Sequence, residues 1–355
     1  MTTTTAFTRA AAAGLATLLG AGLLAACGAD DPNVATETAI EAGKADKEAP
    51  PAVPTAWPLT GLPGDVVERP ALAVKVENPK EARPQAGLEQ ADVVWEEMVE
   101  GGESRFIAVY NSQIPESVGP VRSVRPMDGP ILGPTHGLLA CSGGQSRFLD
   151  QAAAAGLQVL TEDSGHSGGF YRSNDRRSPH NLYVRPADLI TAADDAHSAL
   201  PTAEFVFADA AAQATAAADG RAASTVAVTI SAVAKPKWAF DESTKSYLRS
   251  EGETPSESAS GARLAAQNVI ALSVSIEMAG GTDAAGSPIP ETMIVGSGDG
   301  VVVTGGGAID VEWSKASESE PLLLKLPGDG GDVKLAPGIT WIELVPKGEG
   351  HWVVS

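Results

Sequence analysis

An α+β or α/β domain followed by an all-β, sandwich- or barrel-like domain is the architecture written into residues 57–355. Three observations lead there. In the first part, apolar strand-like runs alternate with short helical ones, and the order strand, glycine turn, helix over 138–155 is that of an α/β unit. From Thr225 onward, short apolar runs follow one another across Gly, Asp and Ser turns, as in a sandwich or barrel. Between the two lies an Ala-rich, low-complexity stretch, 208–223, which sets the domains at 57–207 and 224–355.

Each element has its own signal. Ala71 to Val76 is a continuous apolar run, hence a buried strand, and it stops at the turn formers Asn78-Pro79 and Arg83-Pro84. The runs 92–100 and 104–110 flank Gly101-Gly102, so a β-hairpin joins them. Leu138 to Cys141 is a strand, and Ser142-Gly143-Gly144 turns the chain into a helix over about 145–155. Pro186 near a helix start, with acids early, predicts an amphipathic helix over 186–200. In the second half the strand runs are 225–233, 237–240, 245–249, 268–277, 291–295, 301–304, 309–314, 322–326 and 340–345. Trp238, Trp313, Trp341 and Trp352 all fall here, which makes them core or sandwich-edge residues, with a sugar-stacking platform as the alternative.

The N-terminal segment reads differently. An apolar run from Ala10 to Ala26 is too short for a permanent membrane helix and closes on Leu24-Ala25-Ala26-Cys27. This is the pattern of a lipobox: residues 1–26 form a signal peptide and Cys27 becomes the lipidated first residue. Several buried acyl chains, at ~0.8 kcal/mol per CH₂, anchor such a chain permanently. Residues 27–56 are Ala, Thr, Glu, Asp, Lys and Pro with almost no large apolar side chain, so they form an acidic, Pro-rich disordered stalk. The expected location is extracytoplasmic, on the outer face of the cytoplasmic membrane.

Composition narrows the partners. The formal charge of -20, spread through stalk and body, argues against nucleic acid and against charge-driven docking of the body on anionic lipid. With Cys27 lipidated, Cys141 is the one remaining cysteine, and packing must supply the stability.

A series of motifs in fixed order resembles the YerB-type bacterial lipoproteins: Trp57-Pro58-Leu59-Thr60-Gly61-Leu62-Pro63, Arg83-Pro84-Gln85-Ala86-Gly87-Leu88, Gln90-Ala91-Asp92-Val93-Val94, Gly119-Pro120-Val121-Arg122-Ser123 and Pro179-His180-Asn181-Leu182-Tyr183. Ala266-Gln267-Asn268-Val269-Ile270, Gly296-Ser297-Gly298-Asp299-Gly300 and Gly338-Ile339-Thr340-Trp341-Ile342 continue it in the second half. The resemblance implies a two-domain surface lipoprotein of unassigned biochemical function and carries over no catalytic residue. The Ala-rich linker and an acidic insert around 252–261 depart from the family and are expected at the surface.

Chemistry concentrates on arginines. Arg122 and Arg125 stand between Pro120 and Pro126, where a regular helix is excluded, and Arg105 follows the Gly-Gly turn. Guanidinium forks in an acidic chain suit carboxylate or phosphate recognition, and Ser142 at the strand-to-helix turn can add backbone amides. The competing arrangement pairs Arg105 with Glu96, Glu97 or Glu100 across the hairpin and leaves Arg122 and Arg125 on backbone carbonyls. The polar loop 164–181 holds His166, Arg172, Arg176, Arg177 and His180. His180 is the acid/base candidate, with Glu96 or Glu97 as partner, although a histidine behind a proline also serves as a hydrogen-bonded structural residue. His166 and His180 lack a compact ligand spacing, so no metal is expected. No cofactor is expected either. Cys141 ends an apolar strand outside any nucleophile elbow.

The residues favour a binding or scaffolding module with an anion pocket lined by Arg105, Arg122, Arg125 and Ser142. The alternatives are an enzyme acting on envelope material and a purely structural docking lipoprotein. The expected partners are the membrane through the lipid alone, an anionic small molecule, a cell-wall fragment or an envelope protein.

Overall fold

The computed structural model describes residues 54–164, 167–328 and 330–355. The lipobox with Cys27, the stalk up to residue 53, and His166 lie outside the described residues.

Alternating apolar side chains bury both faces of the first strands. β1 (Leu72–Glu77) puts Leu72, Val74 and Val76 on one face and Ala73, Lys75 and Glu77 on the other, and all six residues are buried. β2 (Val93–Met98) and β3 (Ser104–Tyr110) form the expected antiparallel hairpin, in register from Val93↔Val109 to Met98↔Ser104. Their turn needs left-handed backbone at Gly101 and Gly102 (φ 71 and 76°), which glycine adopts without a Cβ clash. β1 pairs antiparallel with β3. Two parallel neighbours follow, β4 (Leu138–Cys141) on β1 and β5 (Gln158–Thr161) on β4, with α2 (Ser146–Ala154) as the crossover. A shorter helix, α1 (Asp128–Leu132), precedes β4. The small hairpin of β6 (Phe170–Arg172) and β7 (Leu182–Val184) stands apart.

The expected helix over 186–200 is only α3 (Pro186–Ile190). Beyond it, Asp194 Oδ1 accepts the N–H of Ala196 and of His197 at 3.0 and 3.1 Å, a local turn that competes with the helical ladder.

In the second half α4 (Thr215–Asp219) is followed by β8 (Thr225–Thr229), β9 (Pro236–Asp241), β10 (Ser246–Glu251), β11 (Asn268–Thr282), β12 (Pro288–Met293), β13 (Gly296–Thr304), β14 (Gly307–Lys315), β15 (Leu323–Lys325), β16 (Thr340–Pro346) and β17 (His351–Val354). Most match a strand run expected from sequence. Their arrangement is less modular. A twelve-stranded sheet has the ten-strand path β15-β14-β13-β11-β16-β2-β3-β1-β4-β5, with β12 on β11 and the two-residue strand Arg221–Ala222 on β14, so it crosses the boundary expected at 208–223 without a break. The link is β16, parallel to β11 on one side and to β2 on the other, with Ile342 in register with both Ile270 and Trp95. The Ala-rich stretch is packed: a Cβ on Gly307 would sit 1.9 Å from the Ala216 carbonyl oxygen of α4. The acidic insert lies mostly at the surface, as expected, and is pinned to the first half by Ala259 N–H donating to Gln85 O at 2.7 Å and by the buried Ser258.

The second sheet, centred on β10-β9-β8-β17, covers one face of the long sheet. There Trp238 meets Trp341 edge-on, with ring centroids 5.2 Å apart, and Trp341 meets Phe106 at 5.4 Å. The opposite face packs Trp95, Ile107, Ile270 and Ile342 against Met127, Ile131 and Phe148. Both halves of the chain therefore share both cores.

Candidate functional site

The arginines gather where the β3 end of the long sheet meets the segment that crosses in front of it. Arg105, first in β3 to point toward the α2 side, stands in register with Glu77 of β1 and Glu97 of β2. The crossing segment is fixed at both edges: Arg122 N–H donates to Lys75 O at 2.9 Å, Ser142 N–H to Arg122 O at 3.0 Å, and Val124 N–H to Gly143 O at 3.0 Å. Prolines at 120 and 126 keep it irregular, so Arg122, Ser123 and Arg125 lie along one rim. The start of α2 supplies Gly144, Gln145 and Phe148, and the tip of the β11–β12 hairpin supplies Asp283, Ala284 and Ala285. The result is an open cavity of about 600 Å³.

Behind the rim lies a buried ionic network. Lys75 Nζ pairs with Glu97 and, at 2.7 Å, with Asp128, and all three side chains are fully buried. One lysine charge cannot serve two carboxylates in a dry interior, so burial and then Asp128 raise the Glu97 carboxyl to about 8. Glu100 receives Arg125 twice, Nη2 at 2.8 Å and Nε 2.6 Å from Oε1 but off the line of a hydrogen bond. Arg125 Nη1 donates to Val124 O, so this arginine is engaged by protein on every side. Arg105 donates to Ser123 O at 2.9 Å and lies 3.9 Å from Glu100. Burial, then the neighbouring Arg125, push its pKa down to about 10. Arg122 gives Nε to Glu77 at 2.5 Å, and its Nη1 and Nη2 have no hydrogen-bond partner among the described residues.

The structure brings Arg105, Arg122 and Arg125 to one cavity and holds the other expected residues one link away. Ser142 touches the rim through Ser123, Oγ to Oγ 3.3 Å. His180 Nδ1 lies 2.9 Å from Glu77 Oε1, so it reaches Arg122 through a shared carboxylate. The carboxylate beside His180 is therefore Glu77, and not Glu96 or Glu97. Glu97 is held by Lys75, while strand alternation turns Glu96 to the opposite face. There it accepts Ser104 Oγ at 2.6 Å and Arg249 Nη2 at 2.7 Å. The competing arrangement is also present in part: Arg105 lies 3.9 Å from Glu100 and Arg125 donates to Val124 O, whereas Arg122 goes to Glu77 and not to a carbonyl. Arg172 pairs with Glu162, and Arg176 donates to Glu81 O and Pro84 O, which ties the 164–181 loop to the body. Burial pushes the Cys141 thiol up to about 11, which makes it inert as a nucleophile at neutral pH.

Sequence reasoning missed Glu77, Lys75, Asp128 and the Asp283 hairpin tip. The one signal available was charge inside otherwise apolar strand runs, at Lys75 and at Glu96-Glu97. Among the described residues, no three or more His, Cys, Asp or Glu side chains converge as a metal-ligand set.

A mixed β-sheet protein with a guanidinium-lined surface pocket is the class these features define. Residues 59–199 match the family described as "Protein of unknown function (DUF3048) N-terminal domain", and residues 226–342 match its C-terminal domain. Over 315 residues the chain is 30% identical to "Putative lipoprotein YerB" of Bacillus subtilis (strain 168), spanning 82% of this chain and 89% of that protein. The chain belongs to this YerB-type family. A crystal structure of YerB from Bacillus subtilis shares the fold, with a TM-score of 0.68 at 24% identity, covering 84% of this chain and 99% of that one.

Proposed function

We propose that this protein is a lipid-anchored envelope component that binds an anionic ligand in the Arg105–Arg122–Arg125 pocket. One observation carries the reading: three guanidiniums border one open cavity, and Arg122 keeps both terminal nitrogens unengaged among the described residues. Arg125, by contrast, is buried and closed by Glu100 and the Val124 carbonyl, while Arg122 gives only its Nε to Glu77. Anchoring through Cys27 rests on the lipobox and on the likeness to a lipoprotein.

The test is a thermal-shift screen of the detergent-solubilised full chain against phosphates, sugar phosphates, wall fragments and dicarboxylates. An anion that raises Tm in the wild type and loses that effect in Arg122→Ala supports the pocket. A flat screen, joined to in-cell crosslinking with another envelope protein, points to a docking scaffold instead. For the anchor, Cys27→Ser should leave the membrane fraction or stall in processing. A processed, membrane-bound variant sinks the lipid reading.

An enzyme is the second reading, and the His180–Glu77 pair beside Arg122 favours it, since a carboxylate at Nδ1 fixes a histidine for proton transfer at Nε2. His180→Ala separates the two. Unchanged ligand affinity with loss of turnover supports the enzyme, and no turnover by the wild type on any ligand that binds leaves the binding module.

A further inference from the structure

The geometry points to a phosphoryl group carrying two negative charges, a phosphate monoester or a diphosphate, as the ligand of the arginine pocket. This rests on the anion-binding reading and goes further in naming the chemistry.

Direction is the first argument. A carboxylate is planar, and one guanidinium fork satisfies it. Here the donors come from separate elements on different sides of the cavity: Arg105 from β3, Arg122 and the Ser123 hydroxyl from the crossing segment, and the Gly144-Gln145 backbone at the entry to α2. Three terminal oxygens on a tetrahedral centre use donors spread this way. The nine-residue α2 also has no side-chain cap. Gln145, at its N-cap, donates its amide to Thr282 O of the hairpin at 2.9 Å and accepts Arg147 Nε on Oε1, so its side chain caps neither the Ser146 nor the Arg147 N–H.

Charge is the second argument. Glu100 is committed to Arg125, and Glu77 is divided between Arg122 and His180. Arg105 is left with a carboxylate at 3.9 Å that another arginine already holds, and Arg125 and Arg122 both depress its pKa. With Asp283 on the hairpin tip as a further carboxylate of the lining, what stays open is the Arg105 guanidinium and the two terminal nitrogens of Arg122, and a group with several charged oxygens can meet both. Phosphodiesters, with two terminal oxygens per phosphorus, reach fewer of these donors than monoesters with three. The cavity of about 600 Å³ also exceeds what a bare ion fills and falls within the usual range for small-molecule sites, so the carrier of the phosphoryl group has room.

Isothermal titration of the full chain in detergent tests this with five probes: pyrophosphate, a hexose 1-phosphate, glycerol 3-phosphate, dimethyl phosphate and malonate. Pyrophosphate and at least one monoester should bind about tenfold or more tightly than dimethyl phosphate and malonate. Arg122→Ala and Arg105→Ala should each weaken them by about tenfold or more, the loss expected for a charge-assisted bond. Arg122→Lys, which keeps the charge and loses the fork, should stay weak while folding normally by circular dichroism. Preference for glycerol 3-phosphate would assign the group to a lipid headgroup, and preference for the hexose phosphate to a soluble sugar phosphate. Malonate binding as well as pyrophosphate overturns the phosphoryl assignment and leaves the anion pocket standing. Failure of every probe to bind folded wild type overturns both.

Discussion

Glu96 and Glu343 stand in register on neighbouring strands, fully buried, and Arg249 lies between them and Glu251. Burial works against the Arg249 cation, yet the three carboxyl groups together raise its pKa. Burial and then the adjacent Glu96 raise the Glu343 carboxyl well above the usual range, which favours its neutral form, and it accepts Trp238 Nε1 at 2.9 Å. Glu343→Gln should therefore change stability by less than about 1 kcal/mol, whereas Arg249→Met strands buried carboxylates and should cost about 3–5 kcal/mol in chemical denaturation. Equal losses would mean that Glu343 is ionised. A pH dependence follows from the same chemistry. Burial raises Asp92 to about 6, Glu204 to about 7 and Glu97 to about 8. These groups bind protons more tightly folded than unfolded, so folding takes up protons between the ordinary carboxylate range and those values. Stability should rise as pH falls from 8 toward 5, and Tm should climb by a few degrees. Lowering the net charge of -20 acts in the same sense. Glu251, whose pKa is lowered by Arg249 and Arg83 against its burial, reverses the slope only in more acid solution. Glu97→Gln should flatten the upper part of the Tm–pH curve. A Tm that falls on mild acidification would contradict the raised carboxyls.

The β11–β12 hairpin is an arm that closes the pocket from the far half of the sequence. Arg147 of α2 donates to Ala279 O at 2.8 Å and also to Gly280 O, with Gly280 and Gly281 both at φ 74° as the arm bends. These bonds are exposed, so Arg147→Ala should leave global stability within about 1 kcal/mol. It should nevertheless speed amide exchange across 279–287 and weaken any pocket ligand several-fold. Unchanged exchange there would show that the arm stands without α2. At this scale the sequence was largely readable. The apolar runs at 72–76, 93–98, 104–110 and 268–277 became strands because period-two burial on both faces leaves few other solutions. The arginine rim was readable because Pro120 and Pro126 bar a helix around Arg122 and Arg125. What escaped notice has a physical reason too. β5 (Gln158–Thr161) and β17 (His351–Val354) are short and half polar. Glu77 ends its strand just before Asn78-Pro79, so it looked like the start of a turn.

Across the whole molecule, the sequence halves and the structural units do not coincide. Hydrophobic period tells which faces of 340–346 are apolar, but not which strands it will join, so the placement of β16 between β11 and β2 was not legible. That placement makes a sharp prediction about autonomy. Removing the second half would strip β2 of its parallel neighbour and expose Phe106, which packs on Trp341, together with Trp95 in the sheet's interior. Removing the first half would leave β16 as an open edge and unseat Trp341. Each fully buried side chain of this size contributes about 1.5–3 kcal/mol, and net stabilities of whole proteins are only about 5–15 kcal/mol, so losing several is decisive. Expressed separately, 54–207 and 208–355 should each show no cooperative thermal transition. Coexpressed as two chains, they should associate and recover one, because β2 and β16 can still pair. A sharp, independent transition for either half alone would show that its core closes without the other, and the shared sheet would then be a contact between domains rather than the framework of one body.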